Sequence, residues 1–224
     1  MLISSAVCGP LQANCYLLAP AENGPCVIID PGMEAVAPVT SLLSRHRLTP
    51  VGILATHGHI DHIADAAYLA DQFGVALWIA QADRHLLSDP ASGLNADLAG
   101  WISLVLPQGV REPGQVEILG EKINLAGIDL AVTPAPGHTA GSVLYTVTTL
   151  DEVVVFCGDV VFAGSIGRTD LPGSSPAQMV ASLRGPVMDL PDSARLLPGH
   201  GEETTMAHER QFNPYLQPSF LNRV

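Results

Sequence analysis

Hydrophobic positions along this chain gather into short runs separated by turn residues, with helical spacing between some of them. The stretches "NCYLLAP" (14–20) and "CVIIDPG" (26–32) are apolar runs that a turn stops, as strands are. Residues 33–46 predict a helix, and "VGILATH" (51–57) predicts a strand of the buried type. From 60 to 73, "IDHIADAAYLADQF" places apolar residues at helical spacing and stops before Gly74, so one helix is expected there. "VALWIAQ" (75–81) predicts a strand, and strand signals return at 115–119, 128–133, 142–148 and 153–157. A helix is predicted over 176–185, with Ser175 as its cap and Pro176 in its first turn. "ARLLPGHG" (194–201) reads as a last strand and turn, and "EETTMAHERQF" as a final helix.

Between these elements, Gly and Pro bracket a helix-like piece at 95–106 that reads equally as a lid over a site or as a surface crossover. No repeat, linker or low-complexity tract interrupts the pattern. Strands flanked by helices throughout predict an α/β layered fold in one domain spanning 1–224.

Composition narrows the classes. Hydrophobic residues at 47% against 14% charged describe a packed chain with little room for disorder. No apolar run approaches the roughly 18–20 residues that span a bilayer, and "MLISSAVCGP" has no basic start or sustained apolar stretch of a secretory signal. A cytoplasmic enzyme with no membrane partner is the expectation. The net charge is −12, and Lys122 is the sole lysine among ten basic residues, which argues against a nucleic-acid partner. Cys8, Cys15, Cys26 and Cys157 show no paired spacing and read as buried thiols.

The chemistry concentrates in "THGHIDH" (56–62). His57 and His59 stand two apart on an extended strand end, so both rings can point to one side. Asp61 and His62 follow as the next helix begins. Imidazole nitrogen and carboxylate oxygen are ligands for zinc and similar cations. Four such groups exceed what one metal takes from a single loop, so partners are expected elsewhere. His138 in "TPAPGHTAGS", Asp159 in "VVVFCGDVVF" and His200 in "ARLLPGHG" each follow a predicted strand, where α/β folds carry their chemistry. His46, His85 and His208 lie in polar, helical surroundings and read as solvated. Thr56, Asp30 and Thr139 are candidates to orient the ligands from behind, and Gly58, Gly137, Gly158 and Gly201 let the backbone turn beside them.

In this order, "THGHIDH", "APGHTAGS", "GD" and "PGHG" resemble the signature of the metallo-β-lactamase superfamily. "GSIGRTDLPGS" (164–174) is similar to the short glyoxalase II-like hydrolases, with persulfide dioxygenases as near relatives. The resemblance implies a four-layer αββα sandwich and two divalent metal ions, with zinc first and iron or manganese as alternatives. It assigns His57, His59 and His138 to one metal, Asp61, His62 and His200 to the other, and Asp159 to both. Arg168 resembles a basic residue that such enzymes present to a glutathione carboxylate; its competing role is a loop-bracing pair with Asp170. Thr169 and Asp170 stand where those enzymes carry an aromatic, so glutathione is not implied as the thiol carrier.

Two cations about 3.5–4 Å apart lower the pKa of a shared water from 15.7 towards about 7, so a metal-bridging hydroxide is the expected nucleophile. With Asp61 and Asp159 both committed to the site, no acid remains to protonate an amine leaving group. A thiolate, whose conjugate acid has a pKa of ~8.5, leaves unaided. Hydrolysis of a small acyl thioester is therefore the expected reaction. The rivals are an iron-dependent persulfide dioxygenase using His57, His138 and Asp159, and a lactonase or β-lactamase.

Overall fold

The computed structural model describes residues 1–222. Six strands, β1 (Leu2–Cys8), β2 (Ala13–Ala19), β3 (Pro25–Ile29), β4 (Thr49–Leu54), β5 (Leu77–Ile79) and β6 (Val116–Ile118), form one sheet in chain order. Its first three strands run antiparallel and the rest join in parallel. β2 is buried along its whole length, and the two-residue period of a strand divides its side chains between two cores. Leu17 and Ala19 face the helices α1 (Val36–His46), α2 (Ile60–Ile63) and α3 (Ala66–Phe73). Tyr16 and Leu18 face the second sheet. β3 divides in the same way, with Cys26 and Ile28 on the helical side and Val27 and Ile29 on the other.

After the connecting helix α4 (Ala96–Val105), the chain builds a second sheet from β7 (Lys122–Leu125), β8 (Ile128–Pro134), β9 (Val143–Thr148) and β10 (Val153–Gly158). A two-stranded excursion, β11 (Val161–Phe162) with β12 (Ser165–Ile166), and the helix α5 (Pro176–Ser182) precede β13 (Arg195–Pro198) and β14 (Thr204–Thr205). The spatial order is β14-β13-β10-β9-β8-β7. Val154 and Phe156 of β10 point at the first sheet, whereas Val155 and Cys157 point at Met179 and Leu183 and at Met206, which opens α6 (Met206–Phe212). The layers are therefore helix, sheet, sheet, helix: the αββα sandwich that the motifs implied. All four cysteines are buried free thiols.

Several boundaries differ from the sequence reading. The single helix expected over 60–73 is two pieces, because the Asp65 N–H donates to the Pro31 carbonyl (3.1 Å) and its carboxylate accepts from the N–H of Val36 (3.1 Å). Both bonds tie the break to the start of α1. The helix predicted to 185 gives way after Ser182 to one wider turn, Leu183–Val187, that contains Pro186. Ser175 does cap α5, accepting from the Gln178 N–H at 3.3 Å. The last helix starts at Met206 rather than in the preceding acidic stretch, with Thr205 as its cap. β1 and β7 had no strand signal in the sequence reading; both lie at sheet edges, and half-exposed edge strands lack a continuous apolar run.

Candidate metal centre

The loops that follow β4, β8, β10 and β13 meet at one edge of the sandwich. β10 and β13 are parallel neighbours, so Asp159 and His200 emerge side by side, stitched by the Gly199 N–H to the Gly158 carbonyl (2.8 Å). The approach is tight: a Cβ on Gly199 would stand 2.1 Å from Asp159 Oδ1, so no larger residue fits there. From the first sheet, the Thr56 carbonyl accepts from the Val143 N–H (2.9 Å) and holds the end of "THGHIDH" against β9. His59 is the extended residue that precedes α2, which places Asp61 and His62 in that helix's only turn.

All seven residues singled out in the sequence come together here, and His57, His59, His62, His138 and Asp159 are buried. Ligand-capable atoms of His57, His59 and His138 lie within 4.8 Å of one another, and so do those of Asp61, His62 and His200. Asp159 touches both sets, with Oδ2 at 3.4 Å from His138 Nε2 and Oδ1 at 3.5 Å from His62 Nε2. Asp61 Oδ2 stands 3.2 Å from His200 Nε2. His46, His85 and His208 stay outside; His46 pairs with Glu22 at 3.0 Å, and His208 stacks on Phe212.

The donor set fits divalent cations on the structure's own terms. Buried His57 Nε2 and Asp159 Oδ1 have no hydrogen-bond partner among the described residues, which is costly unless something else satisfies them. His59 Nδ1 faces His138 Nε2 at 2.8 Å and His62 Nε2 faces His200 Nε2 at 3.3 Å. Nitrogens brought face to face in this way are what converging ligands present to a cation.

Electrostatics separates the two sets. Burial holds His59 and His138 down to about 4, and His57 well below the usual imidazole range. Burial opposes a charge on His62 too, but the carboxylates of Asp159, Asp61 and Asp30 outweigh it and push that ring up to about 10. Asp61 is the converse, with burial outweighed by His62 and His200 so that it stays well below the carboxylate range. Burial raises Asp159.

Groups behind the ligands fix their orientation. Asp30 accepts from the Thr56 N–H (2.7 Å), the Thr56 hydroxyl (2.6 Å) and His62 Nδ1 (3.0 Å), while Thr56 Oγ1 lies 3.1 Å from His57 Nδ1. Asp30 thus engages both sets from behind, and it also lies within ligand distance of His57 and His62. Thr139 does not do what the sequence reading suggested. Its hydroxyl donates to Asp83 (2.6 Å), and His138 Nδ1 is held instead by the Arg168 carbonyl at 2.8 Å.

Asp83 is the residue that the sequence reading missed. Buried under the site, it accepts from the N–H groups of Gly58 (2.8 Å) and Gly141 (2.7 Å), tying the loops of His57 and His138 together. Nothing in "QADRH" marks it, because its partners lie 25 and 58 residues away. Asn14 and Tyr16 likewise hold the Pro198 carbonyl (3.0 and 2.7 Å) and so steady His200. Arg168 forms a doubled pair with Asp170 (2.6 and 2.8 Å) on an exposed loop, as the bracing role requires, and it also lines the cavity above the site.

That cavity has a volume of about 210 Å³. A larger space of about 520 Å³ against α5 contains none of the seven residues and is set aside as a site of chemistry. α4 lies over the smaller cavity, with Leu94, Leu98 and Ile102 on its wall; Trp101 packs beside Ile102 instead of facing the opening. Among the described residues no helix is long and apolar enough to cross a membrane.

The family model described as "Metallo-beta-lactamase superfamily" matches residues 8–200, and the chain belongs to that superfamily. An uncharacterized protein of Mycobacterium tuberculosis is 44% identical, over 97% of this chain and 98% of its own length. The hydroxyacylglutathione hydrolase GloC of Haemophilus influenzae is 31% identical, over 92% and 93%. Among solved structures, the BLEG-1 B3 metallo-beta-lactamase superposes with a TM-score of 0.83 at 34% identity, covering 96% of this chain and 100% of its own. TTHA1623 in a di-iron-bound form gives 0.78, also at 34% identity, covering 95% and 100%.

Proposed function

We propose that this chain is a dinuclear metallohydrolase whose substrate is a small acyl thioester. The observation that carries the reading is the content of the cavity. Its titratable lining residues are Asp61, His138, Asp159, His200 and Arg168, and the first four are directed at the metal cluster. Arg168 is occupied by Asp170 and is no proton donor near neutral pH. An amide or lactam leaving nitrogen needs a proton, and among the described residues lining the cavity no side chain is free to give one. A thiolate does not need it.

His57, His59 and His138 would hold one divalent ion, Asp61, His62 and His200 the other, with Asp159 between them. Zinc, iron or manganese suits these donors. When bound, two such ions acidify a water and polarise a carbonyl. The chain does the rest: Asp30 and Thr56 set the His62 and His57 rings, the Arg168 carbonyl sets His138, and the apolar walls limit water at the scissile bond. The similarity to the H. influenzae hydroxyacylglutathione hydrolase supports the reaction class.

The test is metal content together with turnover. Protein purified without chelator should carry about two metals per chain and hydrolyse thioesters faster than lactones or β-lactams. One iron per chain, with oxygen consumed on a persulfide, would overturn the assignment.

A further inference from the structure

The cavity specifies more than a reaction class. Its walls come from separate segments yet agree in chemistry: Leu11 from the β1–β2 loop, Ile60 from α2, Leu94, Leu98 and Ile102 from the α4 region, and Leu171 from the loop before α5. The polar groups that reach it are the metal-directed side chains and the Asp170-paired Arg168. Among the described residues that line it, no uncommitted side-chain donor or acceptor remains.

From this lining, and resting on the hydrolase reading above, we infer that the enzyme selects an unsubstituted, apolar acyl group and leaves the carrier thiol largely unread. Size supports both halves. Pockets that enclose a drug-sized ligand run to roughly 300–1,000 Å³, so a cavity of about 210 Å³ does not also enclose a carrier such as a tripeptide or nucleotide thiol. Part of that space lies over Asp61, His138, Asp159 and His200 and would be taken by the ions, so the remainder suits a short acyl chain with its carbonyl. A 2-hydroxyl on that chain enters a wall of leucine and isoleucine without a partner, which is unfavourable. The expected preference therefore runs against a 2-hydroxyacyl substrate, the kind that the name of the H. influenzae relative describes.

The experiment compares kcat/KM of the metal-loaded protein on a matrix of thioesters. Acetyl, butanoyl, hexanoyl, octanoyl and 2-hydroxybutanoyl groups are each carried on glutathione, coenzyme A and N-acetylcysteamine. The expected result is a rise of roughly fourfold per added methylene over the short chains, and a fall by octanoyl. 2-Hydroxybutanoyl should be slower than butanoyl by about ten- to hundredfold, and changing the carrier should matter less than changing the acyl group. Leu98→Ala, at a half-exposed position on the cavity wall, should move the optimum to longer chains. Active protein that prefers the hydroxyacyl substrate, or that follows the carrier and ignores chain length, overturns this inference and leaves thioester hydrolysis standing. Failure on every thioester at full metal loading overturns the hydrolase reading and this one with it.

Discussion

Replacing Asp30 by Asn disturbs the metal centre from behind, directly at His62 and at one remove, through Thr56, at His57. Asp30 is buried and adopts φ +53, a left-handed conformation that Asn accepts readily, so the backbone tolerates the change. The side chain keeps its shape and loses acceptor capacity at the oxygen shared by the Thr56 hydroxyl (2.6 Å) and His62 Nδ1 (3.0 Å). With an amide NH2 there, His62 Nδ1 must accept rather than donate, and the neutral ring carries its proton on Nε2. That nitrogen is the one facing Asp61, Asp159 and His200. Loss of one charge-assisted hydrogen bond is worth about 1.5–3 kcal/mol, which matches the ten- to hundredfold loss of affinity typical when a ligand-orienting group is removed. The set of already neutral rings, with no proton to displace, is expected to fill first. The second equivalent of zinc should therefore weaken by that factor in a chelator-competition titration, with stoichiometry read by elemental analysis. The first equivalent should weaken too, but by less, since Asp30 reaches that set only through the Thr56 hydroxyl beside His57 Nδ1 and touches neither His59 nor His138. Equal weakening of both equivalents, or none in the second, would refute the assignment of Asp30 to His62.

Other outcomes follow from the same geometry. Asp83→Ala removes three buried hydrogen bonds, to the N–H groups of Gly58 and Gly141 and to the Thr139 hydroxyl; a loss of about 3–5 kcal/mol is expected in urea unfolding, and a change under ~1 kcal/mol would contradict the bracing role. Gly158→Ala forces a side chain onto φ +45 and places its Cβ 2.3 Å from Thr56 Oγ1, so a loss of about 2–4 kcal/mol is expected by thermal unfolding. Metal uptake should be coupled to protons unequally. A ring raised to about 10, as His62 is, still holds its proton at pH 7.5 and must give it up to bind, whereas rings lowered to about 4, as His59 and His138 are, are already neutral. Calorimetry in buffers of different ionisation enthalpy should find roughly one proton or more released with the second metal and almost none from the first; release confined to the first equivalent would reverse the assignment. Arg168→Ala breaks a pair that lies in solvent, and the melting temperature should stay nearly unchanged.

The sequence by itself marked the candidate ligands and the layers. Seven metal-directed residues stand at the ends of apolar runs because chemistry that needs particular side chains at a strand terminus leaves a local mark, as "THGHIDH" and "PGHG" do. The two-residue period of β2, β3 and β10, buried on both faces, likewise gives strands that must sit inside a multilayer sandwich. Tertiary structure decided what long-range hydrogen bonds decide. Asp83 joins loops 25 and 58 residues from it, the Arg168 carbonyl and not Thr139 orients His138, and Asp65 breaks a helix that its own spacing would have continued. The character of the cavity was hidden for the same reason. Leu11, Leu98 and Leu171 are ordinary apolar residues in sequence, and only the folding of three distant segments around one metal edge makes them a wall. A motif records groups that must be a certain kind of atom, whereas a pocket records which surfaces happen to meet.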